Sequence, residues 1–158
     1  LAANSLVAGT MGVNIALTDK GVAAGGAGGS PVISGKYFMA RDMALIAGFG
    51  LGINGADAKG TDIAFIVGAR KYLKTDDFAP FIGARFIYGT FGDSSTTKVS
   101  GMSILGEAGA EYFFSQKFSV EGRVGFGYQS VETTTLGGTG KATRIGTESL
   151  GVSANFYF

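Results

Sequence analysis

The sequence predicts an all-β protein, an eight-stranded antiparallel up-and-down β-barrel built to cross a membrane. Three observations carry this reading. Bulky apolar residues alternate with small or polar ones at period two along most of the 158 residues, and helical periodicity is hard to find. The second face of each alternating run holds mainly Gly, Ala, Ser, Thr and Asn rather than the Lys and Glu of a water-facing sheet. Aromatic residues gather at the ends of the runs. A strand turns successive side chains to opposite faces, so each run has one bulky apolar face and one small, sparsely charged face.

Eight such runs follow in order. The first, about 5–18, sets Val7, Met11, Val13, Ile15 and Leu17 against Ala8, Thr10, Gly12 and Asn14. The second, 32–40, sets Ile33, Tyr37 and Met39 against Ser34 and Lys36. The third, 43–54, opposes Leu45, Ala47, Phe49, Leu51 and Ile53 to Gly48, Gly50 and Gly52. The fourth, 62–73, opposes Ile63, Phe65 and Val67 to Ala64, Gly68, Arg70 and Tyr72; in the fifth, 79–90, Ile82, Ala84, Phe86 and Tyr88 oppose Gly83 and Arg85. The sixth and seventh, 99–114 and 118–129, form a hairpin around Ser115-Gln116-Lys117. One of its faces carries Tyr112, Phe114, Phe118, Val120, Val124 and Phe126, and the other Glu107, Gly109, Glu111, Ser119, Glu121 and Arg123. The eighth, 145–158, sets Leu150, Val152, Ala154, Phe156 and Phe158 against Ser149, Gly151, Ser153 and Asn155.

The connections alternate in kind. Short ones fall at Arg41-Asp42, 74–78 and 115–117; longer Gly/Ser/Thr-rich ones are expected at 19–31, 55–61, 91–98 and 130–144. Residues 21–30 have the composition of a mobile linker. An even strand number brings both ends of the chain to the short-turn side, which is the layout of an up-and-down barrel.

Which face is outside decides the solvent. A small-residue face suits a narrow interior, since eight strands leave room for little more than side chains. The apolar face is then the outer one, and its solvent is lipid. Runs of 9–12 residues match the length a tilted strand needs to cross the hydrocarbon layer. Tyr72, Phe78, Phe81, Tyr112, Phe113, Phe114, Phe118, Phe156, Tyr157 and Phe158 are expected as one interfacial girdle, with Tyr88, Phe91 and Tyr128 near the other. The lumen would hold Lys36, Arg70, Arg85 and Arg123 against Glu107, Glu111 and Glu121, close to balanced. Pairing Phe114 with Phe118 puts Glu111 opposite Glu121, and two facing carboxylates need a nearby cation.

Composition narrows the chemistry. The formal net charge is +1, with charged residues at 16% of the chain, below the roughly 25% of soluble proteins. No nucleic-acid partner is implied. With no Cys and no His, disulfides, thiolate metal sites and imidazole catalysis are excluded. No apolar stretch reads as a spanning helix, and no basic segment precedes the first run as in an intact secretory leader.

Against this background, GARKYLKTDDFAPFIGARFIYG (68–89), GAEYFFSQKFSVEGRVGFGY (109–128) and the terminal GVSANFYF make the chain resemble the OmpA/OmpX-type outer-membrane barrel domains. The resemblance spans essentially the whole chain. It implies an outer-membrane location, long loops outside, and short turns and both termini in the periplasm. Gly151, Ala154, Phe156 and Phe158 resemble the C-terminal signal that the outer-membrane assembly machinery reads. No segment resembles the peptidoglycan-binding domain of full-length OmpA.

The expected role is non-enzymatic: a structural or anchoring barrel whose loops touch lipopolysaccharide or a protein partner. Lys20, Lys59, Lys98, Lys141 and Arg144 lie in or beside the long connections, where they can meet lipopolysaccharide phosphates or simply be solvated. The alternative is a narrow channel or small-solute conduit, kept open by luminal glycines in the first, third and seventh runs. A third reading makes the barrel a subunit of a larger assembly. No cofactor or metal is expected. Barrel enzymes acting on lipid A or on proteins resemble His-dependent catalysts, so an acid–base site would have to be made from the Glu/Arg group. GLGING (50–55) matches a dinucleotide fingerprint but is followed by another alternating run, not a helix. Asp57, Asp62, Asp76 and Asp77 lack the spacing of a cation loop.

Overall fold

A computed structural model describes residues 6–20, 32–54, 60–94 and 97–158; side chains within 18–20, 32, 52–54, 60–62, 91–94 and 148–149 lie outside that description. Eight strands, β1 (Met11–Lys20), β2 (Val32–Ala40), β3 (Met43–Asn54), β4 (Gly60–Tyr72), β5 (Phe78–Ser94), β6 (Thr97–Ser115), β7 (Phe118–Thr135) and β8 (Gly138–Tyr157), close into one barrel. Every neighbouring pair is antiparallel, and β1 closes on β8 from Gly12↔Tyr157 to Lys20↔Leu150. Glu111 stands opposite Glu121, in the expected hairpin register.

The outer wall is bulky and apolar: Leu45, Phe49, Phe65, Val67, Phe86, Phe126 and Val152 are all exposed on it. The inside is filled in three layers. Nearest the short turns, Leu6, Phe38, Tyr72, Phe81, Phe113 and Tyr157 make a buried aromatic stopper. Its rings meet at 5.6 Å (Phe38–Tyr72), 5.7 Å (Tyr72–Phe81) and 5.7 Å (Phe113–Tyr157), in tilted and edge-on geometries. A belt of charged side chains lies above it, and Ile66, Ile87 and Leu105 form an apolar layer beyond that. Phe38 is wholly buried where it touches both stopper tyrosines. Phe38→Ala is expected to lower the unfolding free energy by about 3–5 kcal/mol, read from urea titration followed by far-UV circular dichroism.

Glycine shapes the inner wall. Gly83 sits opposite both Arg70 and Glu107, Gly68 opposite Arg85, Gly109 opposite Arg123, and Gly12 opposite Tyr157. A Cβ at Gly12 would lie 2.6 Å from the Tyr157 ring, and one at Gly83 would lie 3.1 Å from Arg70 Cγ and 3.3 Å from Glu107 Cγ. Large luminal side chains thus lie over glycines of the neighbouring strands, the small/large alternation a narrow barrel needs. The glycines at these positions make room for long side chains, not for an open passage.

Three expectations are corrected. The first strand begins at Met11, not near residue 5; Leu6–Thr10 turn beneath the barrel, with Gly9 at φ +89° and Gly9 N donating to Phe38 O at 2.8 Å, which delivers Leu6 to the stopper. The long connections expected at 91–98 and 130–144 are mostly strand. β5 and β6 run to Ser94 and from Thr97, while β7 and β8 are joined at Leu136-Gly137. Their Thr, Ser and Val content favours extended backbone, and Gly138, at φ +142°, relieves the tight turn. Finally, Tyr72, Phe81, Phe113 and Tyr157 do not belong to an outer girdle. They point inward, whereas Phe78, Tyr112, Phe114, Phe156 and Phe158 are exposed and Phe118 is half-buried.

Candidate functional site

The charge belt is assembled from strands all around the barrel. Glu121 of β7 is its centre: Oε2 accepts from Lys36 Nζ at 3.0 Å and Arg70 Nη1 at 2.6 Å, and Oε1 from Arg70 Nη2 at 3.0 Å and Arg123 Nη1 at 3.1 Å. The two-pronged grip of Arg70 is the guanidinium–carboxylate geometry that holds best. Glu111 of β6 accepts Lys36 Nζ at 2.9 Å, Tyr72 OH at 2.7 Å and Asn155 Nδ2 at 3.1 Å, and also the hydroxyls of Ser119 and Tyr157. Glu107 takes Arg70 Nε at 2.6 Å on one oxygen and Arg85 Nη2 at 3.0 Å on the other. Arg123 also donates to Ser153 Oγ at 2.7 Å. Arg70 lies with its Cζ 4.0 Å over the Phe81 ring, so the belt rests on the stopper through a cation–π contact.

Lys36, Arg70, Arg85, Glu107, Glu111, Glu121 and Arg123 are all buried, and they form one continuous network. Both oxygens of every one of the three carboxylates are engaged. The four cations outnumber the three carboxylates by one, and each carboxylate oxygen already accepts from a protein donor, whereas a general base needs an oxygen free to reach a substrate proton. Sequence reading left out Tyr72, Tyr157, Ser119, Ser153 and Asn155 as members of the network. Their signal was their place on the small, polar face of β4, β7 and β8.

Elsewhere the candidates are scattered. Lys98, Lys141 and Arg144 are exposed on β6 and β8, toward the hairpin end, while Lys59 and the side chain of Lys20 fall outside the described residues. Gly50 to Asn54 continue strand β3, and Gly55 is not described, so the GLGING stretch opens no helix among the described residues. Asp76 and Asp77 are exposed at the β4–β5 turn; Asp57 and the side chain of Asp62 fall outside the description, and no group of three or more acidic side chains suited to a metal assembles among the described residues. Gly151 faces inward opposite Arg123, Ala154 is half-buried, and Phe156 and Phe158 are exposed.

At the β2–β3 turn, Asp42 pairs with Lys71 of β4. The hydrogen bond from the Lys71 ammonium holds the Asp42 carboxyl below its ordinary value of 3.8. A depressed carboxyl stabilises the fold above about pH 3.8 and loses that contribution as pH falls through the lowered value. Because the pair is solvent-exposed, Asp42→Asn is expected to leave the urea midpoint at pH 7 almost unchanged.

The closed eight-stranded antiparallel barrel, with its apolar outer wall and ion-paired interior, has the fold of the small OmpA-type outer-membrane barrels. No family model matches the sequence, and no curated protein does. Solved structures do. The N-terminal β-barrel domain of OprF from Pseudomonas aeruginosa matches over 96% of this chain and 98% of its own, with TM-score 0.56 and 14% identity. Ail, the attachment invasion locus protein of Yersinia pestis, matches over 95% of this chain and 100% of its own, with TM-score 0.47 and 16% identity. At such identity the likeness is one of fold.

Proposed function

We propose that this chain is a non-enzymatic integral barrel of a bacterial outer membrane, a structural or anchoring element whose projecting hairpins contact lipopolysaccharide or a protein partner. The observation that carries the reading is the inversion of the barrel: bulky apolar side chains cover the outside while paired charges fill the inside. An apolar band that runs all round a closed barrel suits lipid as its solvent. A network with its carboxylates saturated supports a structural plug over a catalytic site. Of the luminal glycines in the first, third and seventh strands on which the narrow-channel alternative rests, Gly12 lies under the Tyr157 ring and Gly48 against Ser34, which at those two positions favours filling over an open path.

The hairpin end is the proposed outer side, with the short turns and both termini in the periplasm. There β8 from Gly138 to Ser149 pairs only with β7 among the described residues, and 134–145 are exposed on both faces. This ribbon, with Lys141 and Arg144 on it and Lys98 beside it, suits contact with phosphate groups or a partner. Gly151, Ala154, Phe156 and Phe158 serve as the assembly signal in this reading. The absence of cysteine gives a clean test of sidedness. Leu136→Cys at the hairpin tip should react with a membrane-impermeant maleimide on intact cells, and Gln116→Cys at a short turn should react only after the outer membrane is opened. Labelling of Gln116→Cys alone on intact cells would contradict the orientation. Lipopolysaccharide contact is tested by adsorption of lipopolysaccharide micelles, which should weaken and lose salt dependence when Lys98, Lys141 and Arg144 are changed together to Gln; unchanged adsorption would remove that contact from the account.

A further inference from the structure

One member of the stopper at the short-turn mouth differs from the rest. Phe38, Tyr72, Phe81, Phe113 and Tyr157 hang from β2, β4, β5, β6 and β8, so paired backbone of a closed barrel fixes each of them. Leu6 is wholly buried among them, yet it lies outside every strand. It is joined to β1 by Val7, Ala8 and Gly9, all exposed. Thr10 N donates to Val7 O at 3.1 Å to close the turn, and Gly9 N donates to Phe38 O at 2.8 Å. The turn depends on Gly9 at φ +89°, where a side chain strains the backbone. Nothing lies within 4 Å of a Cβ built there, so backbone torsion alone sets the need for glycine.

We propose that residues 6–10 are a hinged strap that closes the short-turn mouth of the lumen and swings out about Gly9 to admit water to the charge belt. Leu6 can leave with every strand pairing intact, since its turn is closed by the Thr10–Val7 bond and lies outside the ladder, whereas the aromatic members are anchored in the barrel wall. Opening a segment held by so few contacts costs far less than unfolding the barrel. The belt lies directly behind the strap. Tyr72 and Tyr157 accept from Lys36 Nζ on their hydroxyls at 3.3 and 3.0 Å, and Lys36 in turn holds Glu111 and Glu121. On the other side of the belt, Ile66, Ile87 and Leu105 are all carried by strands, so that layer has no counterpart to Leu6. The strap thus admits water from one side and opens no path through the barrel.

The test uses the protein refolded in detergent micelles, with amide hydrogen exchange followed residue by residue by NMR over a series of low urea concentrations. The Thr10 amide is expected to exchange through a local opening whose rate ignores urea, unlike the mid-strand amides of Arg85 and Glu107. Gly9→Ala strains only the hinge, and should speed that exchange about tenfold while leaving the urea midpoint of the barrel almost unchanged. Water entry is read at Ser119→Cys, wholly buried beside Glu111, as the rate of its reaction with methyl methanethiosulfonate. That rate should rise by the same factor when Gly9→Ala is added. Leu6→Gly, which removes the anchor and spares the hinge, should act in the same direction, and Ser153→Cys reports on the same belt should Ser119→Cys not fold. Exchange at Thr10 that follows urea in step with Arg85 and Glu107 would overturn the hinge. Equal thiol reactivity with and without Gly9→Ala and Leu6→Gly would show that the strap guards nothing.

Discussion

Replacing Glu121 by Gln is expected to lower the free energy of unfolding by about 3–5 kcal/mol, the range seen when one partner of a buried ion group is removed. The amide keeps the shape of the carboxylate but not its charge. Lys36, Arg70 and Arg123 would then face a neutral group within 3.1 Å of their nitrogens, inside a lumen sealed by the aromatic stopper. Lys36 keeps Glu111 and Arg70 keeps Glu107, so the barrel should still close but unfold at lower urea. The double variant Glu121→Gln with Lys36→Met removes one cation along with the anion. It should cost less than the sum of the two single changes, because the residues share one network. Additive costs would mean that Lys36 and Glu121 do not act through each other.

Gly109→Val tests the inner wall from the other direction. A Cβ at Gly109 would lie 2.2 Å from Gly122 O, 2.7 Å from Phe81 Cζ and 3.0 Å from Arg123 Cα. Two of these are backbone atoms of the paired strand, so only a shift of the strand relieves the clash. The expected cost is at least the upper part of the ~1–3 kcal/mol typical of overpacking. Gly122, on the partner strand opposite Ala110, is the control: nothing lies within 4 Å of its Cβ position, and Gly122→Ala should be neutral to within about 0.5 kcal/mol. Similar losses at both positions would show that chain flexibility, rather than luminal room, sets the need for glycine.

Much of this was legible in the sequence because a membrane barrel repeats one simple rule along every strand. Period-two alternation gave the strand number and which residues share a face, and the hairpin at Gln116-Lys117 fixed the facing of Glu111 and Glu121. The polar face was therefore readable residue by residue. Three-dimensional filling was not. Tyr72, Phe81, Phe113 and Tyr157 look like interfacial aromatics when judged by nearness to turns, yet each falls on the inward phase of its strand. Nor did alternation reveal that Leu6 turns back under the barrel, since Leu6–Thr10 make a local turn around Gly9. The lengths of the β5–β6 and β7–β8 hairpins were hidden for a different reason. Their Thr- and Gly-rich stretches have no apolar face to bury, so composition alone could not separate a projecting ribbon from a loop.

Long polar side chains reach across a narrow lumen only because glycines on neighbouring strands make space for them. The stopper and the Ile66–Ile87–Leu105 layer keep the belt away from water at either side, which strengthens each ion pair and makes an unpaired charge costly. We propose that a barrel filled in this way is closed, with its interactions with other molecules left to its outer wall and hairpins.

Whether the lumen is closed is tested electrically. Purified protein is inserted in a planar lipid bilayer, insertion is verified, and single-channel current is recorded beside the Arg123→Glu variant. Silence is expected from the wild type, with the variant altered in stability and not in permeability. Discrete openings of the wild-type barrel, with conductance or ion selectivity changed by Arg123→Glu, would contradict it and show that the charge belt lines a path.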